Sequence, residues 1–156
     1  MKRYKSLMSK PLRKAYRDKI IPPAFVRKKR PIVINNWEGT YFQFDNEKLL
    51  RIIDEAAELG MDTFVLDDGW FGERNDDTSS LGDWYVNEKK LQGGLDAVIS
   101  HCKEKGLRFG LWFEPEMICK KSRLYEMHPE YVLGAPGIEP VYSRNQWLLD
   151  FTRKDV

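Results

Sequence analysis

The chain has 156 residues, 42% hydrophobic and 13% aromatic, the size and make-up of one globular domain with material for a core. Its apolar stretches are strand-sized, far short of the roughly 18 residues a membrane span needs, and Met1-Lys2-Arg3 leads into a polar, basic stretch where a secretory signal would be apolar. The net charge of +2 conceals an imbalance: residues 1–30 hold 12 Lys and Arg and one acid, residues 31–156 the other 14 basic residues and 23 acids, so the two parts are oppositely charged.

A soluble protein of the cytoplasm, with no membrane partner, is the expectation. Cys102 and Cys119 have neither metal-ligand spacing nor a CxxC pattern, so free thiols are expected, with no metal and no cofactor. Basic clusters bind phosphate, but here only Tyr4, Tyr16 and Phe25 interleave the charges and no RNA-binding signature is present. Residues 1–30 are therefore read as a basic lead-in lying across an acidic domain, and nucleic acid is not expected as a partner.

In chain order, Leu12, Ala15, Tyr16 and Ile20 recur at three- and four-residue spacing and predict a helix over Lys10 to Ile21, stopped by Pro22-Pro23. Ile32-Val33-Ile34, opened by Pro31 and closed by Asn35-Asn36, predicts a first strand. Asp45 is placed to cap a helix over Glu47 to Leu59, whose apolar residues form one stripe, and Gly60 ends it. A second strand follows at Thr63 to Leu66. It runs into Asp67 and Asp68, then Gly69-Trp70-Phe71-Gly72, which cannot continue a strand.

The connection from Asp67 to Gly94 is polar but holds Trp70, Phe71, Leu81, Trp84 and Tyr85, and a loop of this length in a compact domain usually binds something. Leu95 to Lys105 predicts another helix, ended by Gly106, and Leu107 to Phe113 a third strand before Glu114-Pro115. The β-α-β-α-β order implies a parallel sheet. After Leu148-Leu149-Asp150-Phe151, the run Thr152-Arg153-Lys154-Asp155 fits a capping box opening one more helix, so the chain reads as the first part of a larger α/β domain. Three parallel strands alone leave edges unpaired, which favours self-association into a homo-oligomer.

Side chains just past the carboxyl ends of buried parallel strands are where α/β enzymes place ligand-binding groups. Two adjacent carboxylates accept several hydrogen bonds from hydroxyls, and an aromatic ring beside them offers an apolar face, a combination that suits a sugar. A turn-capping role for one of the two acids stands beside that reading, because adjacent strand residues point to opposite faces.

Five motifs then come in one order: Ile34-Asn35-Asn36-Trp37-Glu38, Leu66-Asp67-Asp68-Gly69-Trp70-Phe71-Gly72, Leu81-Gly82-Asp83-Trp84, Phe109 to Met117, and Arg144-Asn145-Gln146. Together they resemble the α-galactosidases of glycoside hydrolase family 36, from about Tyr16 to Val156. The resemblance implies a (β/α)8 TIM barrel, of which residues 31–156 would supply about the first three β/α units. It also implies retaining hydrolysis of terminal α-galactosyl residues from α-galactoside oligosaccharides of the raffinose and melibiose type.

Carried over by motif, the galactose pocket falls on Trp37, Asp67, Asp68, Trp112 and Arg144. The indoles would pack on the pyranose, the two acids would take the 4- and 6-hydroxyls, and Arg144 would donate. The family's nucleophile lies in a Lys-Trp-Asp motif, absent from this sequence, and its acid/base is a later aspartate. No catalytic residue is therefore expected within this chain, and Glu114 and Glu116 are read as framework. Gly39 and Ser143 depart from residues common in the family and bear on fine substrate preference. A related α-glycosidase or transferase, or a non-catalytic sugar-binding fragment, are the alternative readings.

Overall fold

A computed structural model describes residues 2–140 and 142–156. The chain divides into two compact units, Met1–Pro31 and Ile32–Val156. In the first, helix α1 (Lys2–Ala15) passes into a wider π-helical turn, Tyr16–Ile20, closed by Ile21 N donating to the Tyr16 carbonyl at 2.9 Å. Ile21 is extended and the chain leaves through Pro22 into a 3₁₀ turn at Pro23–Phe25. The predicted helix is thus present but starts eight residues early. Lys, Arg, Leu and Met, frequent in residues 2–9, are good helix formers, and Pro11 is carried inside the helix.

The second unit is built on a parallel sheet of order β1-β2-β3, with β1 Val33–Asn35, β2 Thr63–Leu66 and β3 Arg108–Leu111. The register pairs Ile34 with Phe64 and Phe64 with Phe109, so the strand ends are level and the residues that follow them form one rim. Gly110 is needed for close packing of β3 on β2, since a Cβ there would stand 3.1 Å from the Val65 methyl.

After β1 comes one helical turn, α2 (Trp37–Thr40), and then α3 (Asn46–Glu58). Asp45 caps α3 as expected, its Oδ1 accepting from Lys48 N at 2.9 Å. Helix α4 (Gly94–Glu104) joins β2 to β3. Leu49 and Ile53 of α3 and Val98 of α4 are fully buried in one cluster with Phe64 and Leu66 of β2, each such side chain contributing about 1.5–3 kcal/mol.

The long connection between β2 and α4 is ordered against this core. Phe71, Leu81 and Leu91 are fully buried, and the loop is pinned on itself by Gly72 N to Tyr85 O at 2.7 Å and Asn87 N to Trp70 O at 2.8 Å.

A second sheet was not predicted. Strands β4 (Met117–Ile118), β5 (Tyr142–Ser143) and β6 (Gln146–Leu148) pair antiparallel in the order β4-β6-β5, beside helix α5 (Arg123–Met127). Strands of two and three residues are too short to show an alternating pattern. The predicted capping box at Thr152 is also corrected: the Thr152 amide and hydroxyl both go to Asp150 Oδ1, at 3.0 and 2.7 Å, while Asp155 pairs with Arg153 at 2.7 Å. Both partners of the box are thereby engaged elsewhere, and the segment is a turn.

Candidate functional site

The rim past β1, β2 and β3 is held by two consecutive asparagines. Asn35 Oδ1 accepts from Trp37 N at 2.7 Å while its Nδ2 donates to Asp67 Oδ2. Asn36, almost fully buried, accepts the Asp67 amide at 2.8 Å on Oδ1 and donates to Thr40 Oγ1 at 2.8 Å. A single dipeptide therefore fixes both the turn bearing Trp37 and the first residue beyond β2. Neutral amides suit this task, because each both donates and accepts and adds no charge beside the acids.

Asp67 is half-buried, and its Oδ1 also takes the Asp68 amide at 2.7 Å. Asp68 differs sharply. It is 7% exposed, and the guanidinium of Arg74, itself only 1% exposed, grips it at two points, Nε to Oδ1 at 2.9 Å and Nη2 to Oδ2 at 2.8 Å. Burial works against the charge on Arg74, but the hydrogen bond and charge of Asp68 prevail and hold the guanidinium above its ordinary pKa. Arg74 Nη1 goes to Ser79 O at 2.9 Å and lies 3.6 Å from Cys119 Sγ. Each Asp68 oxygen keeps accepting capacity beyond the Arg74 bond.

Trp112 follows β3 directly, its amide donating to Leu66 O at 2.9 Å and its carbonyl accepting from Trp70 Nε1 at 3.0 Å. It thus lies across from Asp67. Its ring stacks along Phe71 at 6.4 Å and tilts against Trp84 at 6.3 Å, while the Trp37 ring meets Tyr41 and Phe42 edge-on at 5.2 and 5.0 Å. Both indoles are half-buried, backed by other rings on one side.

Arg144 stands apart in sequence and is exposed. Arg144 and Asn145 form the two-residue turn between β5 and β6, with φ of +52° and +63°, the conformation a tight hairpin requires at both positions. Asn145 anchors the turn, accepting from Tyr142 OH at 2.9 Å and donating to Asp77 at 3.1 Å. The turn reaches the rim electrostatically through Glu114, which receives Gln146 Nε2 at 3.3 Å. Burial raises the Glu114 pKa; Arg144 opposes that rise, and Glu116 adds to it.

The structure therefore brings Trp37, Asp67, Asp68 and Trp112 to neighbouring strand ends and leaves Arg144 on the β5–β6 turn, where its charge acts on Glu114. Sequence reasoning missed Asn35 and Asn36 as the ties, Arg74 on Asp68, and Lys90, whose Nζ donates to the carbonyls of Phe42, Gly69 and Arg74. The asparagines could have been found from their place at a strand end, whereas nothing marks a lone Arg or Lys in a polar loop. Among the described residues no group of three or more His, Cys, Asp and Glu could hold a metal ion, and no helix is long and apolar enough to cross a membrane.

The melibiase family model matches residues 4–156. The chain belongs to the melibiase family. It is 51% identical over 149 residues to α-galactosidase AgaA of Geobacillus stearothermophilus and 50% identical over 149 residues to α-galactosidase Mel36A of Lactobacillus acidophilus. Each comparison covers 96% of this chain and 20% of the relative, so this melibiase chain spans about a fifth of the length of the curated relatives it matches. Among solved structures, a variant of the glycoside hydrolase family 36 α-galactosidase AgaA in complex with stachyose superposes with a TM-score of 0.84 at 51% identity, covering 90% of this chain and 20% of that one. An α-galactosidase from Lactobacillus brevis gives a TM-score of 0.84 at 46% identity, with 90% and 19% covered.

Proposed function

We propose that this melibiase chain forms the galactose-gripping part of an α-galactosidase that removes terminal α-galactosyl residues from raffinose- and melibiose-type oligosaccharides with retention. The observation that carries the reading is the Asn35-Asn36 tie, which sets an indole and the Asp67 carboxylate on adjacent strand ends, with Asp68 held beside them by Arg74. Acceptors so placed favour a sugar with neighbouring 4- and 6-hydroxyls, and the ring faces of Trp37 and Trp112 suit its apolar C–H side. Stachyose and raffinose occupy the AgaA variants, which supports an α-galactoside as the ligand here.

Within this reading, β1, β2 and β3 with the helices between them are the first three units of a (β/α)8 barrel, and residues 1–30 are a lead-in to it. The nucleophile and the acid/base come from outside these residues, with Glu114 and Glu116 as framework. The buried, unpaired thiols of Cys102 and Cys119 fit a reducing compartment such as the cytoplasm.

Calorimetric titration of the chain with galactose and glucose tests the pocket. Galactose is expected to bind at least about tenfold more tightly, the worth of one well-placed charged hydrogen bond. Equal affinity for glucose points to another α-glycosidase, and binding of neither sugar overturns the reading. A chimera in which this chain replaces the matching segment of AgaA should hydrolyse raffinose, and Asp67→Ala in the same chimera should not.

A further inference from the structure

Among the described residues Lys90 forms no salt bridge. Its Nζ donates instead to three backbone carbonyls from three separate places: Phe42 at 2.9 Å, Gly69 at 3.1 Å and Arg74 at 2.8 Å. A Lys ammonium has three donors, so its capacity is filled, and it lies 4.9 Å over the Phe44 ring. Each of the three residues is tied to the rim through its chain neighbour or its own side chain. Gly69 follows Asp68, Arg74 grips Asp68, and the Phe42 ring is flanked by the Trp37 ring at 5.0 Å and the Arg74 guanidinium at 5.5 Å. Gly69 cannot carry a side chain in this arrangement, since its φ is +101° and a Cβ would stand 3.1 Å from Phe42 and 3.3 Å from Phe44.

We infer that Lys90 and Arg74 are positioning residues for Asp68: Arg74 fixes both carboxylate oxygens, and Lys90 binds Arg74, Gly69 and Phe42 into one block, so that Asp68 and Trp37 face the sugar as a unit. Only a fixed carboxylate can select one hydroxyl by direction, and a side chain free to rotate would accept from any. The inference rests on the galactose-binding reading for its ligand, but not for its geometry.

The test uses the full chain at pH 7, as wild type and with Lys90→Met, Lys90→Arg and Arg74→Lys. Calorimetry with galactose, 4-deoxygalactose and 6-deoxygalactose is paired with amide hydrogen exchange on the ligand-free proteins. Lys90→Met and Arg74→Lys should weaken galactose about tenfold, while the deoxy sugar lacking the hydroxyl held by Asp68 loses far less. Lys90→Arg, which keeps the charge but not the compact three-donor ammonium, should recover part of the galactose affinity lost in Lys90→Met.

Equal losses on all three sugars, or no loss, overturn the proposal. Should the wild-type chain bind no galactose, the reading of the previous subsection falls and exchange alone decides. Faster exchange over residues 68–74 in Lys90→Met, with β1, β2 and β3 still protected, upholds the brace, and unchanged exchange there overturns it. If Lys90→Met loses strand protection as well, Lys90→Gln carries the same comparison.

Discussion

Removing the charge from Asp68 takes away the carboxylate paired with the buried Arg74 guanidinium, whereas the described partners of the Asp67 carboxylate are an amide side chain and a backbone N–H. Breaking a buried pair from one side typically costs about 3–5 kcal/mol. Asp68→Asn is therefore expected to lower unfolding free energy by about that much in a urea titration, while Asp67→Asn leaves it within about 1 kcal/mol of wild type and weakens galactose about tenfold or more. Lys90 adds a pH signature. Burial, with Arg74 assisting and Asp68 opposing, pushes its pKa down to about 8 from an ordinary 10.5. Between pH 8 and 9 the unfolded chain keeps a proton that the folded chain has released, so stability rises with pH. Above pH 9 burial of Cys102, whose pKa is pushed up to about 11 from 9.0, acts in the opposite sense, because the unfolded thiol ionises first. Urea melts of wild type and Lys90→Met from pH 7.5 to 9 should thus diverge, with the rise present only in wild type.

Elements with strong local chemistry were legible in the sequence. β2 lies where its β-branched and aromatic run ends at two acids, and α3 starts where Asp45 accepts the Lys48 amide. That cap predicts a loss of about 1 kcal/mol for Asp45→Ala, measurable as a lower urea midpoint with an unchanged slope. The β4-β6-β5 sheet was not legible, because its strands are set by pairing with distant residues: Met117 lies opposite Leu148, and Tyr142 opposite Trp147. Of the candidate site, the strand-end residues followed from position, since the places where parallel strands stop also place their next side chains. Arg74 and Lys90 did not, because their partners are set by how the loop from Asp67 to Gly94 folds back on itself. A Cβ at Gly39 would meet nothing within 4 Å, so Gly39→Ala is sterically free.

At the scale of the whole molecule, the boundary between the two compact units falls one residue beyond the basic tract Arg27 to Arg30. Those four side chains are exposed, on backbone outside any helix or strand, and Pro31 blocks cleavage after Arg30. Brief treatment with trypsin should therefore cut after Arg27, Lys28 or Lys29 before it enters the folded body, and intact-mass measurement should find a product beginning at Lys28, Lys29 or Arg30 and ending at Val156. Early cuts within residues 32–112 would show that body to be open. The clipped product inverts the electrical sign of the molecule: a chain of net charge +2, with 12 of its 26 basic residues in the first 30 positions, becomes a body of −6, −7 or −8, the −9 of residues 31–156 offset by the three, two or one basic residues left ahead of Pro31. A protein retained by a cation exchanger through its leading segment would then leave that resin and adhere to an anion exchanger, so one nick reverses its chromatographic behaviour.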